Sequence, residues 1–174
     1  MSEPASLDAN SLMQGLALKG HVAVVTGGSR GIGRAAVKCF AKLGASVMVN
    51  YVRDEKAANG VVAEVEAQNV GAMAVKADVS LKGDAQRLID ATMRKFERVD
   101  FLVCNAGIWE GSPIDQMTEE IWNRTMDLNL KGTWAASKRK LSPTNNVSTI
   151  QLFNSFGVDR QLPPQIVVVA PDLP

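Results

Sequence analysis

Cysteine, histidine and tyrosine are scarce in this sequence: its 174 residues hold two cysteines, one histidine and one tyrosine. Cys39 and Cys104 stand far apart with no Cys or His beside them, which excludes a zinc-type ligand spacing and a disulfide framework and leaves two free thiols as the expectation. No metal site is expected. No run reaches the roughly 18 apolar residues of a membrane span, and Met1 to Asn10 is polar where a signal peptide would be apolar. The expectation is a soluble, cytoplasmic chain without membrane contact. Neither sign of charge is in excess: 19 Lys and Arg oppose 18 Asp and Glu, a net charge of +1. That balance lacks the basic footprint of a nucleic-acid binder. What is present, 46% hydrophobic and 21% charged residues, is the composition of an ordinary globular domain and excludes disorder, collagen and coiled coil.

Composition changes near residue 139. Thirteen of the 14 glycines precede it, whereas five of the seven prolines follow it. Three regions are expected: a flexible tail over 1–18, a Rossmann-type nucleotide-binding region over 19–138, and a divergent tail over 139–174. The middle region alternates short β-branched runs with amphipathic stretches, the pattern of a doubly wound α/β fold with a parallel sheet. Strands are predicted at Val22 to Val25, Ser46 to Asn50, Ala72 to Ala77 and Phe101 to Cys104. The intervening helices carry Ala35, Ala36, Phe40 and Leu43, then Ala57, Ala58, Val61, Val62 and Val65, then Ala85, Leu88, Ile89, Met93 and Phe96 as apolar stripes. A last helix is predicted from Thr118, its N-cap, to Lys138. In the tail, Ser148 to Phe153 and Ile166 to Val169 each have the content of a strand, and Pro163-Pro164 blocks a helix between them. His21 is expected at the surface, and Trp109, Trp122 and Trp134 in ordinary packing.

The segment that carries chemistry is Thr26-Gly27-Gly28-Ser29-Arg30-Gly31-Ile32-Gly33, set between the first strand and its helix. Glycines there let the chain turn sharply, let a pyrophosphate approach the backbone and let the helix sit close on the sheet. The helix N-terminus then offers N–H groups to phosphate. Dinucleotide-binding chains that take NAD place a carboxylate at the end of the second strand for the ribose 2′-OH. Asn50 stands there instead, and Arg30 and Arg53 offer cations to a 2′-phosphate, so NADP is expected in preference to NAD.

The spacing Thr-Gly-x-x-x-Gly-x-Gly resembles that of the short-chain dehydrogenase/reductase family. Asp78 in Ala-Asp-Val-Ser, Asn105-Ala106-Gly107, and Asn129 in Asp-Leu-Asn-Leu-Lys-Gly-Thr follow in the family's order. The resemblance covers residues 20 to about 138 and is closest to the 3-oxoacyl-carrier-protein reductase branch. It implies an NADP-dependent oxidoreductase that moves hydride between nicotinamide and a ketone or secondary alcohol, usually as a dimer or tetramer. It further implies that Gly27, Ser29, Arg30, Gly31, Ile32 and Gly33 surround the phosphates, that Asp78 and Val79 lie at the adenine, and that Asn105, Ala106 and Gly107 line the cofactor. Asn129 matches the family's catalytic Asn, which holds a water in a proton relay. The residue types alone also allow plainer roles, a helix cap for Asp78 and a back-bond to a carbonyl for Asn129.

One part of the family's pattern is missing. Its chemistry needs a Tyr with a Lys four residues on, and the single tyrosine, Tyr51, is followed at that distance by Glu55. Ser155 falls near where the family's catalytic Ser would stand, and Ile166 to Pro171 resembles its sixth strand. The sheet is therefore expected to be incomplete on its C-terminal side and the chain inactive as it stands. Two other readings remain open: a non-catalytic NADP-binding or subunit-pairing short form, and a truncated or wrongly joined gene product. Ending a parallel sheet after its fourth strand would also expose an apolar edge unless the tail covers it.

Overall fold

The computed structural model describes residues 18–110 and 113–138 together with the backbone of Thr149–Leu152 and Val167–Ala170. The N-terminal tail over 1–17 and most of 139–174, Ser155 included, lie outside the described residues.

Four strands, β1 (Val22–Val25), β2 (Ser46–Tyr51), β3 (Ala72–Lys76) and β4 (Phe101–Cys104), form a parallel core sheet. Val22 to Val25 and Phe101 to Cys104 are buried throughout. Strands covered on both faces need such continuous apolar runs, which is why their sequences do not alternate. Ala23 and Val25 join one apolar cluster and Val24 the other, so successive β1 residues point to opposite layers. The first layer holds helix α1 (Gly31–Lys42) and helix α2 (Glu55–Glu66), and the second holds helix α3 (Asp84–Phe96).

Each helix is set by local sequence. Gly33, Val37 and Ala41, four residues apart, are the buried face of α1. The stripe expected there is corrected: Ala35 is exposed, and Val37 takes the place facing the sheet. Asp54 caps α2 by accepting from the Ala57 N–H at 2.8 Å. Ala85, Leu88, Ile89 and Thr92 bury α3.

The helix expected without a break from Thr118 to Lys138 is interrupted. Helix α4 (Glu119–Met126), capped by the Thr118 hydroxyl, passes through a π-helical turn at Asp127–Gly132 into helix α5 (Thr133–Ser137). The turn coincides with a close approach: a Cβ on Gly132 would stand 3.1 Å from the Val79 carbonyl oxygen. Such single π turns are often found where a helix must present a functional group.

The full strand order is β3-β2-β1-β4-β6-β5, where β5 is Thr149–Leu152 and β6 is Val167–Ala170. Both tail segments are thus strands, and β6 pairs with β4 through Leu102↔Val169, Val103↔Val168 and Cys104↔Val167. The pairing is antiparallel, which corrects the likeness of Ile166 to Pro171 to a parallel sixth strand. The antiparallel pairs β4–β6 and β6–β5 cover the β4 edge that would otherwise be open.

His21 is not a simple surface residue. Its ring lies 5.9 Å from that of Phe101, and its Nδ1 is buried without a hydrogen-bond partner. The tryptophans are also corrected, since Trp109, Trp122 and Trp134 are 78%, 48% and 59% exposed. Their apolar area faces outward on and around the α4–α5 segment, where the described residues supply no second layer.

Candidate functional site

The loops that follow β1, β2, β3 and β4 meet at the C-terminal edge of the sheet. Chain order reverses between β1 and β4, the place where open α/β sheets take ligands. The glycine-rich loop comes off β1 and is held from below by Thr26. Its buried hydroxyl donates to the Val103 carbonyl at 3.2 Å and accepts the N–H groups of Asn105 and Ala106, each at 2.9 Å. Asn105 Nδ2 returns the contact, donating to the carbonyls of Thr26 at 2.9 Å and Gly27 at 3.2 Å. The first and fourth strand ends are thereby locked together by five side-chain bonds around one threonine and one asparagine. Thr26 was not singled out as a site residue in the sequence, although a hydroxyl residue directly before the glycines was the available signal.

Arg30 is the N-cap of α1, extended, exposed and without a side-chain cap bond, and no acidic residue stands in the first turn of the helix. The leading N–H groups of α1 are therefore left for an outside acceptor. Gly31 follows with φ of +54° and nothing within 4 Å of where a Cβ would be, so its backbone faces open space. Ser29 is half-buried and Ile32 exposed on the same turn. Gly33 is buried against the loop. An uncapped helix start, an open glycine and a neighbouring guanidinium fit a pyrophosphate.

Asn50 is placed differently from the expectation. Strand β2 runs one residue further, to Tyr51, and Asn50 is 1% exposed with its amide turned inward. It accepts from Gly27 N–H and donates to carbonyls of β3 and the residue beyond it. It does not offer its side chain to a ribose. The residues that follow do face outward: Arg53 is exposed, and neither its side chain nor that of Arg30 makes an ion pair among the described residues. Of the nearby carboxylates, Asp54 is committed to its helix. Burial, reinforced by Glu55, raises the Tyr51 phenol above its ordinary value, so the single tyrosine is not placed to exchange a proton near neutral pH.

After β3, Asp78 Oδ1 accepts from the Ser80 N–H at 3.1 Å and from its hydroxyl at 2.6 Å, while the Asp78 N–H goes to Asp84 Oδ2 at 2.9 Å. Asp78 does not take the plainer role of helix cap; Asp84 from the helix holds the loop instead. Burial pushes the Asp84 carboxyl up, but the Asp78 N–H and Arg87 outweigh it and keep it below the usual carboxylate range. Val79 is buried against Gly132. After β4, Ala106 and Gly107 are half-buried and lead to Ile108. Asn129 grips that residue from the π turn, Oδ1 accepting the Ile108 N–H at 3.0 Å and Nδ2 donating to its carbonyl at 2.9 Å. The reach is to a separate loop rather than back along its own helix.

Cys104, at the end of β4, is buried, and burial pushes its thiol up to about 11. Cys39 is exposed. In native protein at pH 8, iodoacetamide is expected to label Cys39 and spare Cys104, with both labelled in denaturant, as read by peptide mass mapping. Equal native rates at the two thiols would contradict the burial described. Among the described residues no group of acidic, His or Cys side chains is placed to hold a metal, and no helix is long and apolar enough to cross a membrane.

A family model described as short chain dehydrogenase matches residues 21–145. An uncharacterized oxidoreductase of Methylorubrum extorquens is 46% identical over 125 residues, covering 70% of this chain and 50% of that protein. A 3-oxoacyl-[acyl-carrier-protein] reductase of Synechocystis is 43% identical over 122 residues, covering 70% of this chain and 49% of that one. Among solved structures, a short chain dehydrogenase from Burkholderia cenocepacia in complex with NADP superposes with a TM-score of 0.68 at 36% identity, covering 70% of this chain and 50% of that one. A blue fluorescent protein from a metagenomic library, in complex with NADPH, gives 0.68 at 35% identity with the same coverage. The chain spans about half the length of the curated relatives it matches.

Proposed function

The chain belongs to the short-chain dehydrogenase family, and from that premise we propose that residues 19–138 form the NADP(H)-binding part of a carbonyl oxidoreductase. The observation that carries this reading is the start of α1: an uncapped helix end, the open backbone of Gly31, and Arg30 beside it. Gly27, Ser29, Gly31, Ile32 and Gly33 would surround the pyrophosphate, and the helix N–H groups would donate to it. Arg30 and Arg53 would hold the 2′-phosphate, which favours NADP over NAD because neither guanidinium is taken up in an ion pair among the described residues. Asp78 and Val79 would border the adenine, and Asn105, Ala106 and Gly107 the middle of the cofactor.

When bound, NADPH would supply hydride from nicotinamide C4 to a ketone, a 3-oxoacyl compound being favoured by the reductase among the relatives. Asn129 would keep the Ile108 backbone and the π turn in place beside that end of the site. These 174 residues contain no Tyr-x-x-x-Lys, so the proton step has no donor of the family's kind, and they are not expected to turn over alone. The exposed Trp122, Leu130 and Trp134 support subunit pairing through the α4–α5 segment, and two unpaired thiols suit the cytoplasm.

The test is NADPH oxidation with an acetoacetyl thioester, followed at steady state. Binding without turnover is expected. Sustained oxidation that is lost in Gly31→Asp would overturn the inactive reading while leaving the binding site intact.

A further inference from the structure

Asn50 is the most fully used buried side chain near the candidate site. Its main-chain carbonyl accepts the Gly28 N–H at 2.9 Å, and its Oδ1 accepts the Gly27 N–H at 3.2 Å. One residue of β2 therefore binds two successive N–H groups of the glycine-rich loop. On its other side Nδ2 donates to the Ala77 carbonyl at 2.8 Å and the Val75 carbonyl at 3.2 Å, with a longer contact to Tyr51 at 3.4 Å. Ala77 immediately precedes Asp78. The amide thus spans from the loop after β1 to the loop after β3, across the strand between them.

We infer that Asn50 is a positioning residue that fixes the glycine-rich loop relative to the Asp78 loop and so sets affinity for the pyrophosphate. The inference rests on the dinucleotide reading above. Its physical basis is the amide's mixed chemistry. The half-buried Gly27 N–H needs an acceptor, and the Val75 and Ala77 carbonyls need a donor. Only Asn among side chains of this size presents both at once. Aspartate would keep the acceptor but set a second carboxylate oxygen against two carbonyls in a site that is 1% exposed. With Gly27 tied down, the backbone from Gly27 to Gly33 holds one shape before ligand arrives, and less ordering is left to be done on binding.

The experiment compares wild type with Asn50→Ala, using Asn50→Ser should the alanine variant fail to fold. Two readouts are taken well below the unfolding midpoint: NADPH and NADH affinity by fluorescence titration, and amide exchange at Gly27 and Gly28 without ligand. A folded variant is expected to bind both dinucleotides about ten-fold more weakly, with the NADPH-to-NADH ratio unchanged because Arg30 and Arg53 are intact. Exchange is expected to quicken at Gly27 while β2 stays protected. An affinity within about two-fold of wild type in a folded variant would show a role in folding only and overturn the inference. So would a Gly27 amide that exchanges in wild type as freely as an exposed loop amide. A wild-type chain that binds neither dinucleotide would defeat the binding reading, and the exchange comparison alone would then decide the tie.

Discussion

Gly33→Ala is expected to abolish detectable NADPH binding and to lower stability by about 1–3 kcal/mol, the range of an overpacked core position. A Cβ at Gly33 would overlap the Gly27 carbonyl oxygen, and it would stand 2.5 Å from Asn105 Nδ2 and 2.9 Å from the Gly27 carbonyl carbon. None of these neighbours can give way cheaply. The N–H of Gly27 is held by Asn50, and Asn105 Nδ2 donates to the Thr26 and Gly27 carbonyls. Either the loop opens or α1 lifts from the sheet, and both destroy the geometry at the helix start. Gly31→Ala is the informative contrast. Its added methyl meets nothing within 4 Å, and only the φ of +54° opposes it, a cost of roughly 1–2 kcal/mol. That variant is expected to fold, with its larger effect on ligand affinity. Denaturant midpoints and NADPH titration of the two variants check this, and equal effects in both would contradict the packing described.

The second large effect concerns the tail. Deleting residues 149–174 removes β5 and β6, and with them the partners of Leu102, Val103 and Cys104 on the open side of β4. Three paired residues lose backbone partners, on the order of 3 kcal/mol at about 1 kcal/mol per net hydrogen bond, before any apolar exposure is counted. Since β4 is buried along its whole length, the new edge would be apolar as well as unpaired, the combination that templates association between chains. The shortened protein is expected to be aggregated by light scattering at concentrations where the 174-residue chain is dispersed. A monodisperse product with an unchanged unfolding midpoint would show that the β5–β6 pair does not serve as the sheet's cover.

Most of the fold was legible because the same residues speak at two levels. Val22 to Val25 reads as a buried strand from its run of β-branched residues, and the glycines after it mark both the turn and the ligand side of the sheet. The four core strands, the three helices between them and the Thr118 cap all follow from such local signals. Asn50 was misplaced because position at a strand end can be estimated from sequence while the partners its side chain finds, here a loop N–H and the carbonyls of Val75 and Ala77, cannot. Asn129 was found by motif, but its grip on Ile108 depends on a π turn that no periodicity announces. The antiparallel course of β6 was hidden for a related reason: Val167 to Ala170 has strand content in either direction, and its partner lies more than sixty residues earlier in the chain. The three tryptophans were assigned to ordinary packing on their spacing, which does not tell a core from a face awaiting a partner.

The proposed NADP(H) site between the glycine-rich loop and Arg53 is put to the proof by a fluorescence titration of the intact chain with NADPH and with NADH. Saturable NADPH binding is expected, about ten-fold or more tighter than NADH, with the preference reduced when Arg30 and Arg53 are both changed to Ala. No saturable binding of either dinucleotide, or equal affinity for the two, would contradict the account.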